Sequence, residues 1–135
     1  MSQPQPPFVD TNVLLYLLSV DTAKADRAEA LLARRIVISV QVLNEFANVA
    51  RRKLGLAWPD VNQALRDIRR FAEVHPLTLQ THAHGLALAE RYQLSVYDAM
   101  IAAAALEAGC TTLASEDFSA GQRLEGRLTI RNPFA

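Results

Sequence analysis

Short apolar runs alternate along the chain with longer segments whose apolar residues recur at helical spacing. Such runs predict strands over residues 7–9, 35–40, 71–77, 110–114 and 127–131. The longer segments predict helices over residues 12–18, 23–34, 40–54, 58–70, 79–93 and 95–109, the third capped by Ser39. Strands that alternate with helices favour an α/β fold, a short-stranded parallel sheet sandwiched by helices on both faces.

Length and composition limit the classes of protein to consider. A chain of 135 residues suits one domain, expected over residues 7–135 behind a disordered leader of residues 1–6. Its 14 basic and 14 acidic residues create no overall field toward nucleic acid or membranes. The single Cys110 forms no internal disulfide, and no secretory or membrane-spanning segment is visible, so we expect a cytoplasmic protein.

Acidic residues stand where apolar segments meet helix starts. Asp10 and Asp117 follow predicted strands, Asp98 lies in the first turn of a predicted helix, and Glu45 lies in the helix after the second strand. In open parallel sheets, ligand sites form beside the carboxyl ends of the strands. We therefore expect all four acids to reach the same edge of the sheet.

Carboxylates bordered by apolar residues are costly to desolvate unless a charge compensates them. Hard divalent cations such as Mg²⁺ and Mn²⁺ prefer carboxylate oxygens. Such a centre serves phosphodiester hydrolysis, because the metal polarises the phosphoryl group, activates water and stabilises the leaving oxygen. The chain has no Gly-rich phosphate loop, nucleophile elbow or zinc-binding spacing that would indicate another chemistry.

Five segments resemble, in order, the motifs of PIN-domain ribonucleases of the VapC toxin type, the toxic half of bacterial toxin–antitoxin pairs. They are VDTNVLL from Val9, SVQVLNEF from Ser39, LSVYDAMIAAAA from Leu94, LASEDF from Leu113 and NPF from Asn132. The resemblance implies a PIN-like fold and a Mg²⁺- or Mn²⁺-dependent endoribonuclease that inhibits translation. It also implies a homodimer, a cognate antitoxin partner, and catalytic, metal-binding acids at Asp10, Glu45, Asp98 and Asp117.

Each acid also has a structural interpretation. Asp10 would cap the following helix, Asp98 would interact with a helix dipole, and Glu45 would face solvent or pair with an arginine. Glu116 competes with Asp117 for the fourth position; the resemblance favours Asp117, with Glu116 expected to be the solvent-exposed one. Supporting roles are expected for Thr11, Asn12 and Ser115.

Two basic stretches lie at the carboxyl ends of neighbouring predicted helices. They are Arg51, Arg52 and Lys53, and then Arg66, Arg69 and Arg70. Basic residues at this end of a helix are stabilising in themselves. Alternatively, they contact RNA phosphates or an acidic antitoxin segment. His82 and His84 are expected at the surface.

Two other functions remain open at this stage. A catalytically silent PIN-like module would keep the fold for binding or regulation, and a DNA-directed nuclease would use the same scaffold. RNA is preferred by analogy alone.

Overall fold

A computed structural model describes residues 5–135, and its strands form one sheet. Within that range the sheet has the order β3-β2-β1-β4-β6-β5. The strands are β1 (Phe8–Val9), β2 (Ile36–Ser39), β3 (Ala72–His75), β4 (Thr112–Ala114), β5 (Arg123–Leu124) and β6 (Leu128–Arg131). Neighbours are parallel except for β5 and β6. The predicted α/β fold is confirmed. The predicted leader lies partly outside the described residues.

Helices cover the sheet and keep the predicted order. They are α1 (Thr11–Leu15), α2 (Thr22–Ala33), α3 (Val40–Arg52), α4 (Trp58–Phe71), α5 (Leu79–Tyr92) and α6 (Val96–Glu107). The first predicted helix is shorter than expected, because a 3₁₀ turn over Tyr16–Leu18 replaces its second half. Ser39 precedes α3, but its buried hydroxyl makes no hydrogen bond within residues 5–135, so the predicted side-chain cap is absent.

The antiparallel pair β5–β6 was not predicted. Its two strands are joined by Glu125, Gly126 and Arg127, and the first two of these have φ values of 52° and 66°. Two successive left-handed residues form the tight turn that matches the twist of a hairpin. Because β5 spans only Arg123–Leu124, its sequence carries no visible strand periodicity.

Strand register and helix packing bring distant segments to one edge of the sheet. β1 is central, since Phe8 pairs with Val37 of β2 and with Leu113 of β4. Helix α6 is buried from Ala99 to Leu106 and packs closely on α5, where a Cβ on Gly85 would meet the Met100 sulfur at 2.6 Å. This packing fixes the first turn of α6 beside the ends of β1 and β4.

Within residues 5–135, no helix combines the length and apolar character required to cross a lipid bilayer.

Candidate metal centre

Asp10, Asp98 and Asp117 converge at the carboxyl edge of the sheet. One oxygen from each of these carboxylates lies within 4.8 Å of the others. Asp10 ends β1 and is only 2% exposed, whereas Asp98 is partly buried and Asp117 is exposed on the loop after β4. The cluster is therefore closed at Asp10 and open toward solvent at Asp117.

Asp10 is held by two short hydrogen bonds. Its Oδ1 accepts from the backbone N–H of Thr11 at 2.7 Å, which caps α1, and its Oδ2 accepts from the Ser115 hydroxyl at 2.7 Å. The capping role and membership of the acid cluster are thus compatible. Each oxygen keeps lone-pair capacity beyond its one hydrogen bond.

Ser115 and Asn12 connect the loop after β4 to α1. The Ser115 hydroxyl accepts from the backbone N–H of Asp117 at 3.0 Å and from the Asn12 amide nitrogen at 3.4 Å. The Asn12 side-chain oxygen accepts from the backbone N–H of Glu116 at 3.4 Å. These contacts set the direction in which the loop leaves β4, and thereby place Asp117 beside Asp10.

The geometry shows which of Glu116 and Asp117 lies with the other acids. Asp117 belongs to the carboxylate cluster and Glu116 does not. The expectation that Glu116 is the solvent-exposed one is wrong, since Glu116 is partly buried and Asp117 is exposed. The loop turns after β4, so its side chains no longer alternate between two faces as they do in a strand. Asp117 therefore belongs to the cluster and is still exposed to solvent.

Glu45 lies next to the cluster but outside it. Its Oε2 accepts from the Thr11 hydroxyl at 3.1 Å and its Oε1 accepts from the Gln41 amide at 2.9 Å. Within residues 5–135 no arginine is within ion-pair distance of Glu45, and the side chain is partly buried. Glu45 is thereby linked through Thr11 to the turn that carries Asp10. Gln41 was not predicted, since its only signal in the sequence is its spacing of one helical turn from Glu45.

The electrostatics of the cluster are those of acids without a counter-charge. Burial raises the pKa of Asp10 to about 7, against the opposing hydrogen bonds from Ser115 and Thr11, and the charges of Asp117 and Asp98 add to the rise. Burial also raises the pKa of Asp98, opposed by its hydrogen bond with Ser95 and aided by Asp117. In the described part of the chain no basic side chain pairs with these acids. Three such carboxylates fit a hard divalent cation.

The first turn of α6 forms an apolar rim beside Asp98. Its residues Val96 and Tyr97 are 48% and 69% exposed, whereas Ala99 and Met100 are buried. The two residues that precede Asp98 therefore face solvent, although both are apolar or aromatic.

Most of the predicted basic contact residues are exposed, namely Arg52, Lys53, Arg66, Arg69 and Arg70. Arg51 differs, because it is partly buried and engaged within the fold. It donates to the Leu56 carbonyl at 2.8 Å, and its guanidinium lies 4.7 Å from the ring centre of Trp58.

A group of acidic and basic residues, here called the hairpin network, comprises His84, Glu107, Glu125 and Arg127. His84 Nε2 lies 2.9 Å from Glu125 Oε1, and His84 Nδ1 lies 3.7 Å from Glu107 Oε1. Arg127 donates to Glu125 at 3.0 Å. The hydrogen bond from His84 is the main cause that lowers the pKa of Glu125. The expected surface position of His84 is wrong, since the returning β5–β6 turn partly buries it.

Residues 8–120 match the PIN domain family. The chain belongs to the PIN-domain family. Its fold is similar to that of VapC20 from Mycobacterium tuberculosis, described as a sarcin-ricin loop cleaving toxin, with a TM-score of 0.68 and 25% identity over 89% of this chain and 98% of that one. The resemblance inferred from the sequence motifs is therefore confirmed.

Two toxin–antitoxin complexes share the fold. One is from Klebsiella pneumoniae, with a TM-score of 0.70 and 20% identity over 94% of this chain and 97% of that one. The other is VapBC2 from Rickettsia felis bound to a DNA fragment from its promoter, with a TM-score of 0.66 and 20% identity over 95% of this chain and 98% of that one. A comparison with curated protein sequences gives no match.

Proposed function

We propose that this PIN-domain protein, a single domain over residues 7–135, is a metal-dependent endoribonuclease. The observation that carries the proposal is the convergence of Asp10, Asp98 and Asp117 within 4.8 Å at the carboxyl edge of a PIN-type sheet. Three acids without a basic partner are unfavourable together unless a cation binds them.

Mg²⁺, with Mn²⁺ as a substitute, is the ion that this donor set suits. Asp10, Asp98 and Asp117 would hold it, and the bound cation would polarise the scissile phosphodiester group and stabilise charge on the leaving oxygen. Ser115 orients Asp10 through its hydroxyl, and Asn12 fixes the loop that carries Asp117.

Glu45 has a different role from the three aspartates in this proposal. Through the Thr11 hydroxyl it braces the first turn of α1, and its partly buried carboxylate faces the same edge of the sheet. We assign it to orienting or deprotonating the water that attacks the phosphorus atom, a task that requires a carboxylate within hydrogen-bond reach of that water.

The substrate and partners are proposed from the relatives. VapC20 is described as a sarcin-ricin loop cleaving toxin, and this chain covers 98% of its length at 25% identity. We therefore propose RNA as the substrate and inhibition of translation as the consequence. Because related folds occur as toxin–antitoxin complexes, we also propose a type II toxin, a cognate antitoxin, a homodimer and a cytoplasmic location.

The substitution Asp98→Asn tests the proposal, with Asp60→Asn as its matched control. Both acids lie in the first turn of a helix, so both substitutions remove a favourable helix-dipole interaction. Only Asp98→Asn should abolish Mg²⁺-dependent RNA cleavage and the binding of Mn²⁺ measured by calorimetry. Folding of both variants is followed by circular dichroism.

The outcome that contradicts the proposal is Asp98→Asn protein that still cuts RNA. Wild-type protein that binds metal and antitoxin but cuts no nucleic acid would indicate the catalytically silent module. Cleavage of DNA in preference to RNA of the same sequence would indicate the DNA-directed nuclease.

A further inference from the structure

An open groove lies beside the carboxyl end of α3, away from the acid cluster. It has a volume of about 430 Å³ and is lined by Ala47, Asn48, Arg51, Arg52 and Trp58. We call it the Trp58 groove. Trp58 is the only tryptophan of the chain and is 57% exposed. An exposed indole beside two arginines and an amide is unusual for a surface with only a solvating role.

The aromatic part of the groove is held in place before any ligand arrives. Arg51 donates a 2.8 Å hydrogen bond to the Leu56 carbonyl, and this bond places its guanidinium 4.7 Å from the Trp58 ring centre. A cation over the indole fixes the ring orientation. The groove therefore offers a rigid aromatic surface and loses little side-chain freedom when something stacks on it.

The charge of the groove is positive and uncompensated. Among residues 5–135 no carboxylate lies within ion-pair distance of Arg51 or Arg52, and none of the lining residues is acidic. Arg52 is exposed and makes no side-chain hydrogen bond within that range. This charge favours an anionic occupant over an apolar protein surface.

Helix α3 connects the groove to the proposed active site. Arg52 follows Glu45 by seven residues, close to two helical turns, so the two side chains lie on the same face, about 10 Å apart along the axis. Asn48 lies between them, one turn from each. A nucleic-acid strand that leaves the acid cluster along this face meets Asn48, then Arg52, then the Trp58 indole.

We propose that the Trp58 groove is a binding subsite for single-stranded RNA, with a base stacked on Trp58 and a neighbouring phosphate held by Arg52. The inference rests on the proposed ribonuclease function and names the part of the chain that holds the substrate next to the cleavage site. Every base has a face that stacks on an indole, so the subsite accepts unpaired nucleotides and excludes duplex RNA.

The test uses the intrinsic fluorescence of Trp58, which has no competing tryptophan signal. Full-length protein in EDTA is titrated with a dye-labelled ten-nucleotide single-stranded RNA, and both tryptophan emission and dye anisotropy are followed. The expected result is quenching of Trp58 that saturates together with the anisotropy. The same RNA annealed to its complement should bind more weakly and quench less.

Substitutions separate stacking from charge. Trp58→Ala should weaken binding of the labelled RNA about 5- to 150-fold, the range for loss of one base–aromatic stack. Trp58→Phe should retain most of the affinity. Arg52→Gln should weaken RNA binding. It should also reduce the slope of log affinity against log salt concentration by about 1, the value for one lost phosphate contact. Phe71→Ala is the matched control, an exposed aromatic at the other end of α4 whose loss should leave binding unchanged.

Three results would overturn the inference. One is saturable RNA binding without quenching of Trp58. The second is Trp58→Phe and Arg52→Gln proteins that fold and bind RNA with wild-type affinity. The third is a change of oligomeric mass in Trp58→Ala protein by analytical ultracentrifugation with RNA affinity unaltered, which would assign the groove to an interface between copies of the chain.

The design also separates this inference from the proposed function. Binding is measured without metal, whereas cleavage requires metal. Protein that cuts RNA in Mg²⁺ while the Trp58 and Arg52 variants bind normally overturns the subsite alone. Protein whose Trp58 is quenched by RNA but which cuts none in Mg²⁺ or Mn²⁺ supports the subsite and overturns the endonuclease.

Discussion

The molecule contains two clusters with carboxylates, and the pKa of a central carboxylate is lowered in one and raised in the other. In the hairpin network, Glu125 accepts from His84 and from Arg127, and its pKa is lowered. In the acid cluster at the sheet edge, Asp10 receives only neutral hydrogen bonds, and its pKa is raised to about 7. The difference lies in the neighbours of the two acids, since Asp10 is buried and Glu125 is partly buried.

A carboxylate that only stabilises the fold thus differs from a candidate ligand by having a positive partner. Where a carboxylate only joins elements, as Glu125 joins the β5–β6 turn to α5, the fold supplies the positive partner. Where three carboxylates meet without a positive partner, the folded protein is less favourable, and binding of the proposed divalent cation would offset this cost. Five predictions test this contrast, from the largest expected effect to the smallest.

Asp10→Asn should affect activity and stability in opposite directions. The substitution removes a ligand, so RNA cleavage should fall at least about a hundredfold, the upper range for loss of a mere supporting residue. It also removes a buried charge, so metal-free protein at pH 8 should unfold at a higher temperature than wild type. Cleavage assays and calorimetric unfolding measure the two effects. Glu125→Gln, the counterpart in the hairpin network, should lower the unfolding temperature and leave cleavage intact.

Ser115→Ala should weaken metal binding while leaving all three aspartates in place. The substitution removes the hydroxyl that bonds Asp10 Oδ2 and the Asp117 N–H. Loss of a residue that orients metal ligands by hydrogen bonding lowers metal affinity about ten- to a hundredfold. Titration with Mn²⁺, followed by calorimetry, provides the measurement. Unchanged affinity would mean that the carboxylates hold their positions without this serine.

Metal affinity should depend on pH near neutrality because of Asp10. Its pKa of about 7 means that the carboxyl is mostly protonated at pH 6 and mostly ionised at pH 8. Since the ligand must lose its proton, Mg²⁺ should bind about tenfold more weakly at pH 6 than at pH 8.

The stability of the metal-free protein should change in the reverse sense. The pKa of Asp10 is higher in the folded state than its unfolded value of 3.8, so the contribution of this group falls as pH rises from about 4 through about 7. Denaturant unfolding at a series of pH values, repeated with Asp10→Asn, isolates the contribution. Identical pH profiles for the two proteins would contradict the assignment.

His84→Ala should lower stability without affecting cleavage. The substitution removes one hydrogen bond to a carboxylate that is about a quarter exposed, so we expect a loss of about 1 kcal/mol in the free energy of unfolding. Because the pKa of Glu125 is lowered in the folded state, its stabilising contribution is present above pH 4.5 and disappears as pH falls through the folded pKa. Urea unfolding at pH 7 and pH 4 should show the difference between variant and wild type shrinking at the lower pH.

The sequence predicted the order of elements and the edge at which the acids meet. Asp10 and Asp117 follow strands that lie side by side in a parallel sheet, and their meeting follows from that topology. The catalytic and metal-binding roles of Asp10, Glu45, Asp98 and Asp117 stay predictions. So do the contacts proposed for Lys53, Arg69 and Arg70.

Other features depend on tertiary contacts that no local pattern encodes. The choice between Glu116 and Asp117 depends on Asn12, which lies 104 residues before Glu116 and, together with the neighbouring Ser115, turns the loop. The burial of His84 requires a hairpin whose first strand has only two residues. Trp58 drew no functional interpretation, because an aromatic residue at a helix start looks the same whether it packs inward or faces solvent.

The hydroxyl of Ser115 has one proton and two lone pairs, and all three are engaged, with Asp10, Asp117 and Asn12. Such a saturated group has no rotational choice left, so the inner wall of the pocket is stiff. In the proposed function, adjustment to a substrate would fall to the more exposed side of the cluster, where Asp98 follows the exposed Tyr97. If the substrate is RNA, as we propose, substitutions on that side can change sequence preference without altering the carboxylates.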